Sequence, residues 1–248
     1  MSTYAIAIGP VPLYGTPELP HLQPKLDKDH QGLIKSVEVI AFPLTKFVVI
    51  KTEDGVSQVT TSDYPSSTPL YVDSRFLRIV PEEPPERKKM LPPVPIILRF
   101  LESVIGVRYF WGGNWAGGIP EMSDLYPQLT HPEDQEDRVC KGVDCSGLMY
   151  QATNGCTPRN TGQLFTYGQE IDVDQNSVEA VQKVVKPLDI MVWRGHVLCV
   201  LDPEHFIESC VGQGVIVSGF TDRYKHFHEK LRAEQKPFSL RRWHPQLL

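Results

Sequence analysis

The chain has 248 residues, 41% of them hydrophobic and 22% charged, with a net charge of −5. This suits one large globular domain or two modest ones, and the acidic balance argues against nucleic acid or an anionic membrane as the main partner. No stretch approaches the roughly 18 apolar residues of a membrane helix.

The N-terminus, MSTYAIAIGPVPLYG, has no basic n-region, and Gly9 and Pro10 break its apolar run. It does not read as a secretory signal, so a cytoplasmic location is expected. From residue 33 to 80 short β-type runs dominate: LIKSVEVIAF, KFVVIKT, EDGVSQVT and TPLYVDSRFLRIV. Asp54-Gly55 supplies the positive φ of a tight hairpin. Several short strands without helical periodicity predict an all-β, SH3-like barrel over residues 1–82. Residues 83–95, EPPERKKMLPPVP, concentrate proline and charge and read as a semi-rigid linker.

The pattern then changes. Ile96, Ile97, Phe100, Leu101 and Val104 recur at helical spacing, with Gly106 placed to stop the helix. DCSGLMYQATNG reads as a second helix that starts near Asp144 and stops at Asn154-Gly155. PRNTGQLFTYG begins a third, capped by Asn160 or Thr161. DIMVWRG, HVLCVLD, HFIESCV, GVIVSGF and FSLRRW follow as strands. Helices followed by an antiparallel sheet predict an α+β domain over residues 96–248.

Five cysteines (Cys140, Cys145, Cys156, Cys199 and Cys210) match neither a disulfide framework nor a CxxC zinc site. Cys199 and Cys210 lie in strand-like runs and are expected to pack as core thiols. Cys145 differs because it heads a helix, where orphan N–H groups and the macrodipole favour a thiolate and can hold an oxyanion. Ser146 and Gly147 keep that thiol approachable. His196, at the start of a strand, is the candidate base. Glu208, a carboxylate in an apolar run on the next strand, needs a partner and can orient the imidazole. His205 sits beside the turn and reads as surface.

In chain order, GVRYFWGG, DCSGL, TPRNTGQ, LDIMVW, HVLCVL and HFIES resemble the motifs of the NlpC/p60 cysteine peptidases across residues 96–248. The resemblance implies a papain-like fold, often preceded by SH3-like modules. It implies hydrolysis of peptidoglycan stem peptides, usually between γ-D-glutamate and a diamino acid such as meso-diaminopimelate, often with a free N-terminal L-alanine. Carried over, Cys145 is the nucleophile and His196 the base, while Glu208 falls where the family often has a second histidine. Tyr109, Asp144 and Ser146 would bind the substrate, Asp144 pairing with the ammonium.

Residues 114–143 between WGG and DCSG are longer than the family's usual loop and carry the acidic stretch HPEDQED, read as either a solvated loop or a wall of the cleft. Cys140, in this segment, has no assigned redox role. No cofactor or metal is expected, since His226 and His228 have no accompanying ligand motif. Two other readings stay open. One is an amidase or acyltransferase on the same fold, and the other is a non-catalytic protein that binds cell-wall fragments.

Overall fold

The computed structural model describes residues 3–23, 25–127 and 134–248. Within them the chain forms two compact units, Met1–Lys89 with Phe110–Gly147, and Met90–Tyr109 with Leu148–Leu248. Both contain α-helices and antiparallel sheets.

The first part of the first unit holds seven described strands: β1 (Thr3–Ala7), β2 (Val11–Tyr14), β3 (Val37–Ala41), β4 (Lys46–Glu53), β5 (Val56–Thr60), β6 (Leu70–Asp73) and β7 (Leu77–Val80). They form one sheet in the order β3-β2-β6-β5-β4-β1-β7. No pairing joins β3 to β7 among the described residues, so strand pairing does not close the SH3-like barrel expected here. Strands β1 and β2 were not anticipated; Gly9-Pro10, which interrupts the apolar run, lies between them. The β4–β5 hairpin follows the sequence reading: Glu53 pairs with Val56, and Asp54 (φ 48°) and Gly55 (φ 80°) form its two-residue loop. Ala5, Leu13, Val39, Phe47, Val59 and Val72 supply the buried side of the sheet.

Segment 110–147 completes this unit with β8 (Asn114–Trp115), α2 (Met122–Leu125), α3 (Gln135–Arg138) and β9 (Gly142–Val143). Polar side chains tie it to the β-rich region. The buried Asn114 amide accepts from the Ile40 N–H at 2.9 Å and donates to the Ile40 carbonyl at 2.8 Å, as a neighbouring strand would. Tyr126 donates to Asp73 Oδ2 at 2.8 Å, and Lys28 pairs with both Asp134 and Asp137. Thus Asp134 and Asp137 of the acidic stretch are buried and salt-bridged, while residues 131–133 lie outside the described residues.

His21 is fully buried, and burial pushes its pKa down to about 4, so it is neutral near pH 7. The Asp137 carbonyl, 3.0 Å away, can only accept, which puts the proton on Nε2. His21 Nδ1 then accepts from the Tyr14 hydroxyl at 2.8 Å.

The second unit carries α1 (Val94–Ser103), α5 (Thr161–Leu164), α6 (Val178–Val184) and α7 (Phe220–Ala233). Helix α4 (Cys145–Ala152) begins in the first unit and ends in the second. The strands β10 (Gln169–Glu170), β11 (Ile190–Trp193), β12 (His196–Asp202), β13 (His205–Cys210), β14 (Gly214–Gly219) and β15 (Ser239–Arg242) order as β10-β15-β11-β12-β13-β14. Helices do not all precede the sheet, because α7 stands between β14 and β15 in the chain. Phe220, Tyr224, Phe227 and Leu231 recur along one face of α7 and pack with Met191, Leu198 and Phe206 of the sheet. The histidines and lysines between them disguise this stripe in the sequence.

Replacing Asn114 by Ala leaves the Ile40 N–H and carbonyl unpaired in a buried site. The expected loss is about 2 kcal/mol or more, read as a lower urea midpoint. An unchanged midpoint would show that the amide pairing does not hold segment 110–147 in place.

Candidate active site

Asp144, Cys145 and Ser146 belong to the first unit, and Tyr109, His196 and Glu208 to the second. Each group is described within its own unit.

In the first unit, the head of α4 is built against the Trp111-Gly112-Gly113 turn. Strand β8 pairs with β9 so that Asn114 faces Val143, and the Asp144 N–H donates to the Gly113 carbonyl at 2.9 Å. The Asp144 carboxylate caps the helix. Its Oδ1 accepts from the Gly147 N–H at 2.7 Å and from Ser146 Oγ at 3.2 Å, while Oδ2 accepts from the Gly112 N–H at 3.1 Å. An aspartate at this position satisfies orphan donors of the first turn and opposes the helix dipole. Cys145 is the first helical residue and keeps 8% of its surface exposed.

Gly147 sets how closely the motif halves approach, and Gly112 how closely the first of them lies to β3. A Cβ on Gly147 would lie 1.9 Å from the Gly113 carbonyl oxygen. Gly112 takes φ +72°, and a Cβ there would meet the Val37 carbonyl oxygen at 2.2 Å. Any side chain at either place forces backbone apart from backbone, so DCSG depends sterically on WGG through Gly147, and WGG on Val37 of β3 through Gly112.

In the second unit, His196 opens β12 and Glu208 lies on β13. The register pairs Cys199 with Ile207 and Val200 with Phe206. Continued toward the start of β12, it sets Glu208 opposite Leu198, two residues from His196 and on the same face. That diagonal is within reach of long side chains. His196 Nε2 donates to Glu208 Oε2 at 2.7 Å. Arg223 Nε, from the first turns of α7, donates to the other oxygen, Oε1, at 2.5 Å.

The Glu208 side chain is fully buried. Burial pushes its carboxyl up, but the hydrogen bonds and charges of His196 and Arg223 outweigh this and hold it below its ordinary value. An ionised carboxylate can only accept, so Nε2 of His196 carries the proton and Nδ1 is left as the basic nitrogen. Trp193 and Phe227 flank the imidazole, with ring centroids 5.3 and 5.9 Å away.

The remaining candidates fall as follows. Tyr109 is half-buried. His205 is partly exposed beside its turn, with Nδ1 2.9 Å from Asp202 Oδ1. Burial pushes the Cys140, Cys199 and Cys210 thiols up, which suits packing rather than reactivity. Arg223 was not found by sequence reasoning. The period of Phe220, Tyr224 and Phe227 was the available signal, since it sets Arg223 beside the buried face of α7.

No protein-family model matches the chain, and no curated protein is significantly similar to it. Solved structures do resemble it. An NlpC/p60 family protein from Bacillus cereus is 14% identical with a TM-score of 0.41, overlapping 98% of this chain and 64% of its own. The chain therefore spans slightly less than two thirds of that protein. An NlpC protein of Trichomonas vaginalis is 13% identical with a TM-score of 0.42, overlapping 98% of this chain and 93% of its own. A Mycobacterium tuberculosis protein described as a non-catalytic NlpC/p60 domain adapted to peptidoglycan binding is 20% identical. Its TM-score is 0.38, and it overlaps 60% of this chain and 95% of its own. No helix among the described residues is long and apolar enough to cross a membrane.

Two substitutions test this geometry. Gly147→Ala should destabilise the protein by about 1–3 kcal/mol through overpacking, and an unchanged thermal midpoint would contradict the close approach. Glu208→Gln should cost about 3 kcal/mol near pH 7 by breaking a buried ion pair. Because the carboxyl is held below its unfolded value, that contribution is full above pH 4.5. It is lost as pH falls through the lower folded value, so wild type and variant should converge in acid. A difference independent of pH would rule out the ionic contribution.

Proposed function

We propose that this chain is a cysteine peptidase of bacterial cell-wall peptidoglycan, cutting stem peptides at the γ-D-glutamyl bond to meso-diaminopimelate. The observation that carries the reading is the buried Glu208 carboxylate, shared between His196 and Arg223. A histidine that merely packs has no need of an ionised carboxylate fixed by a second cation. A base that becomes imidazolium during a reaction does. The capped helix head at Cys145 and the ordered motifs from GVRYFWGG to HFIES agree with it.

In this reading His196 Nδ1 takes the Cys145 thiol proton, and the sulfur attacks the peptide carbonyl carbon. N–H groups at the head of α4 stabilise the oxyanion. Collapse breaks the C–N bond, and imidazolium protonates the departing amine. Water, losing a proton to Nδ1, then hydrolyses the thioester and the thiol is restored. Glu208 keeps Nε2 protonated throughout, and Arg223 is a positioning residue that acts through Glu208.

Tyr109, Asp144 and Ser146 would receive the free L-alanine ammonium, with Asp144 serving as both helix cap and counter-charge. The peptidase sequence is residues 96–248, and the β-rich residues 1–82 before the 83–95 linker are read as an SH3-like module.

The test is incubation with L-Ala-γ-D-Glu-meso-diaminopimelate, followed by mass spectrometry. Wild type should release L-Ala-D-Glu and Cys145→Ala should not. Binding of the intact peptide without cleavage by the wild type would replace the peptidase with a binding protein.

A further inference from the structure

The first unit contains a cavity of about 370 Å3 formed by the β1–β2 turn, the residues after β6 and helix α2. Its volume lies in the range of small-molecule sites. Ile8, Phe76, Ile119 and Leu125 give it an apolar lining. Ile8 is 61% exposed, so its side chain is open to solvent at this cavity.

Three charged residues also line it: Arg75, Glu121 and Asp124. The Arg75 guanidinium is already neutralised. Its Nε and Nη2 donate to Asp73 at 3.0 and 2.6 Å, and its Nη1 donates to the Leu125 carbonyl at 3.2 Å. Glu121 and Asp124 lie three residues apart on α2 and its N-cap, hence on one side of it. Neither is in an ion pair among the described residues. The cavity therefore presents an apolar body and two uncompensated negative charges.

We propose that this cavity binds a small amphiphilic cation, a ligand with a compact apolar body and one ammonium or guanidinium group. The apolar body would displace water from Ile8, Phe76, Ile119 and Leu125, while the cation meets Glu121 and Asp124. An anionic ligand of the same shape would face those carboxylates with Arg75 already spent on Asp73. The site is independent of the peptidase reading, because none of its residues belongs to that machinery.

Gly9 allows a clean block. It lines the cavity, its φ is not in the positive region, and a Cβ added there meets nothing within 4 Å. A Gly9→Phe side chain can therefore be added at the cavity wall without backbone strain. The experiment titrates the protein with 4-phenylbutylamine and, separately, with 4-phenylbutyrate at low salt, followed by calorimetry. The amine should bind saturably and at least about tenfold more tightly than the acid. Replacing Glu121 with Gln and Asp124 with Asn together should weaken amine binding by about tenfold, the upper end of the scale for two exposed charge pairs. Gly9→Phe should abolish it with the thermal midpoint retained. Absence of amine binding, equal affinity for amine and acid, or undiminished binding by Gly9→Phe would each overturn the proposal.

Discussion

A carboxylate without solvent sets the terms for the second unit. Removing an ion of that size from water costs several kcal/mol, and only good geometry with hydrogen bonds to both oxygens offsets it. Glu208 meets that condition with a histidine from the neighbouring strand and an arginine from the helix that covers the sheet. The pairing therefore rewards one register of β12 against β13 and one rotation of α7. Core packing of Phe220, Tyr224 and Phe227 already favours that rotation, so apolar and ionic constraints agree.

The first unit solves a different problem, the close approach of two backbones. Its motif residues are mostly small because their work is done by carbonyls and N–H groups. Gly113 supplies a carbonyl to Asp144, Gly112 supplies an N–H, and Gly147 supplies another. Asp144 gathers these donors at the point where the helix begins. A cap of this kind fixes the first turn more firmly than helix propensity could in eight residues.

Features with a local signature were readable from the sequence. Asp-Cys-Ser-Gly before an apolar run announces a helix start, and Asp54-Gly55 announces a hairpin. His196 and Glu208 flank one turn of a strand pair, so their proximity follows from antiparallel geometry. Helix α7 was missed because His226, His228 and the lysines between its aromatic residues obscure the apolar stripe, and no element was assigned there. Arg223 was lost with it. The joining of segment 110–147 to the β-rich region was also illegible. Asn114 reaches Ile40 across a sequence gap of 74 residues, and nothing near either residue signals it. Proline content marked residues 83–95 as a break, yet the chain returns to the first unit after it.

That return has a consequence for how the protein is made. Residues 1–89 leave the ribosome well before Asn114, Tyr126 and Asp137, so Ile40, Asp73 and His21 lack their buried partners for an interval. The missing segment ends almost 60 residues later, which at ordinary elongation rates is roughly 3–12 seconds. During that time the nascent β-sheet is an incomplete folding unit with unpaired polar groups, the kind of intermediate that chaperones hold. The end of the proline-rich stretch and α1 are synthesised inside that window, so the first unit reaches its final state only when the chain has reached the helix that carries Cys145.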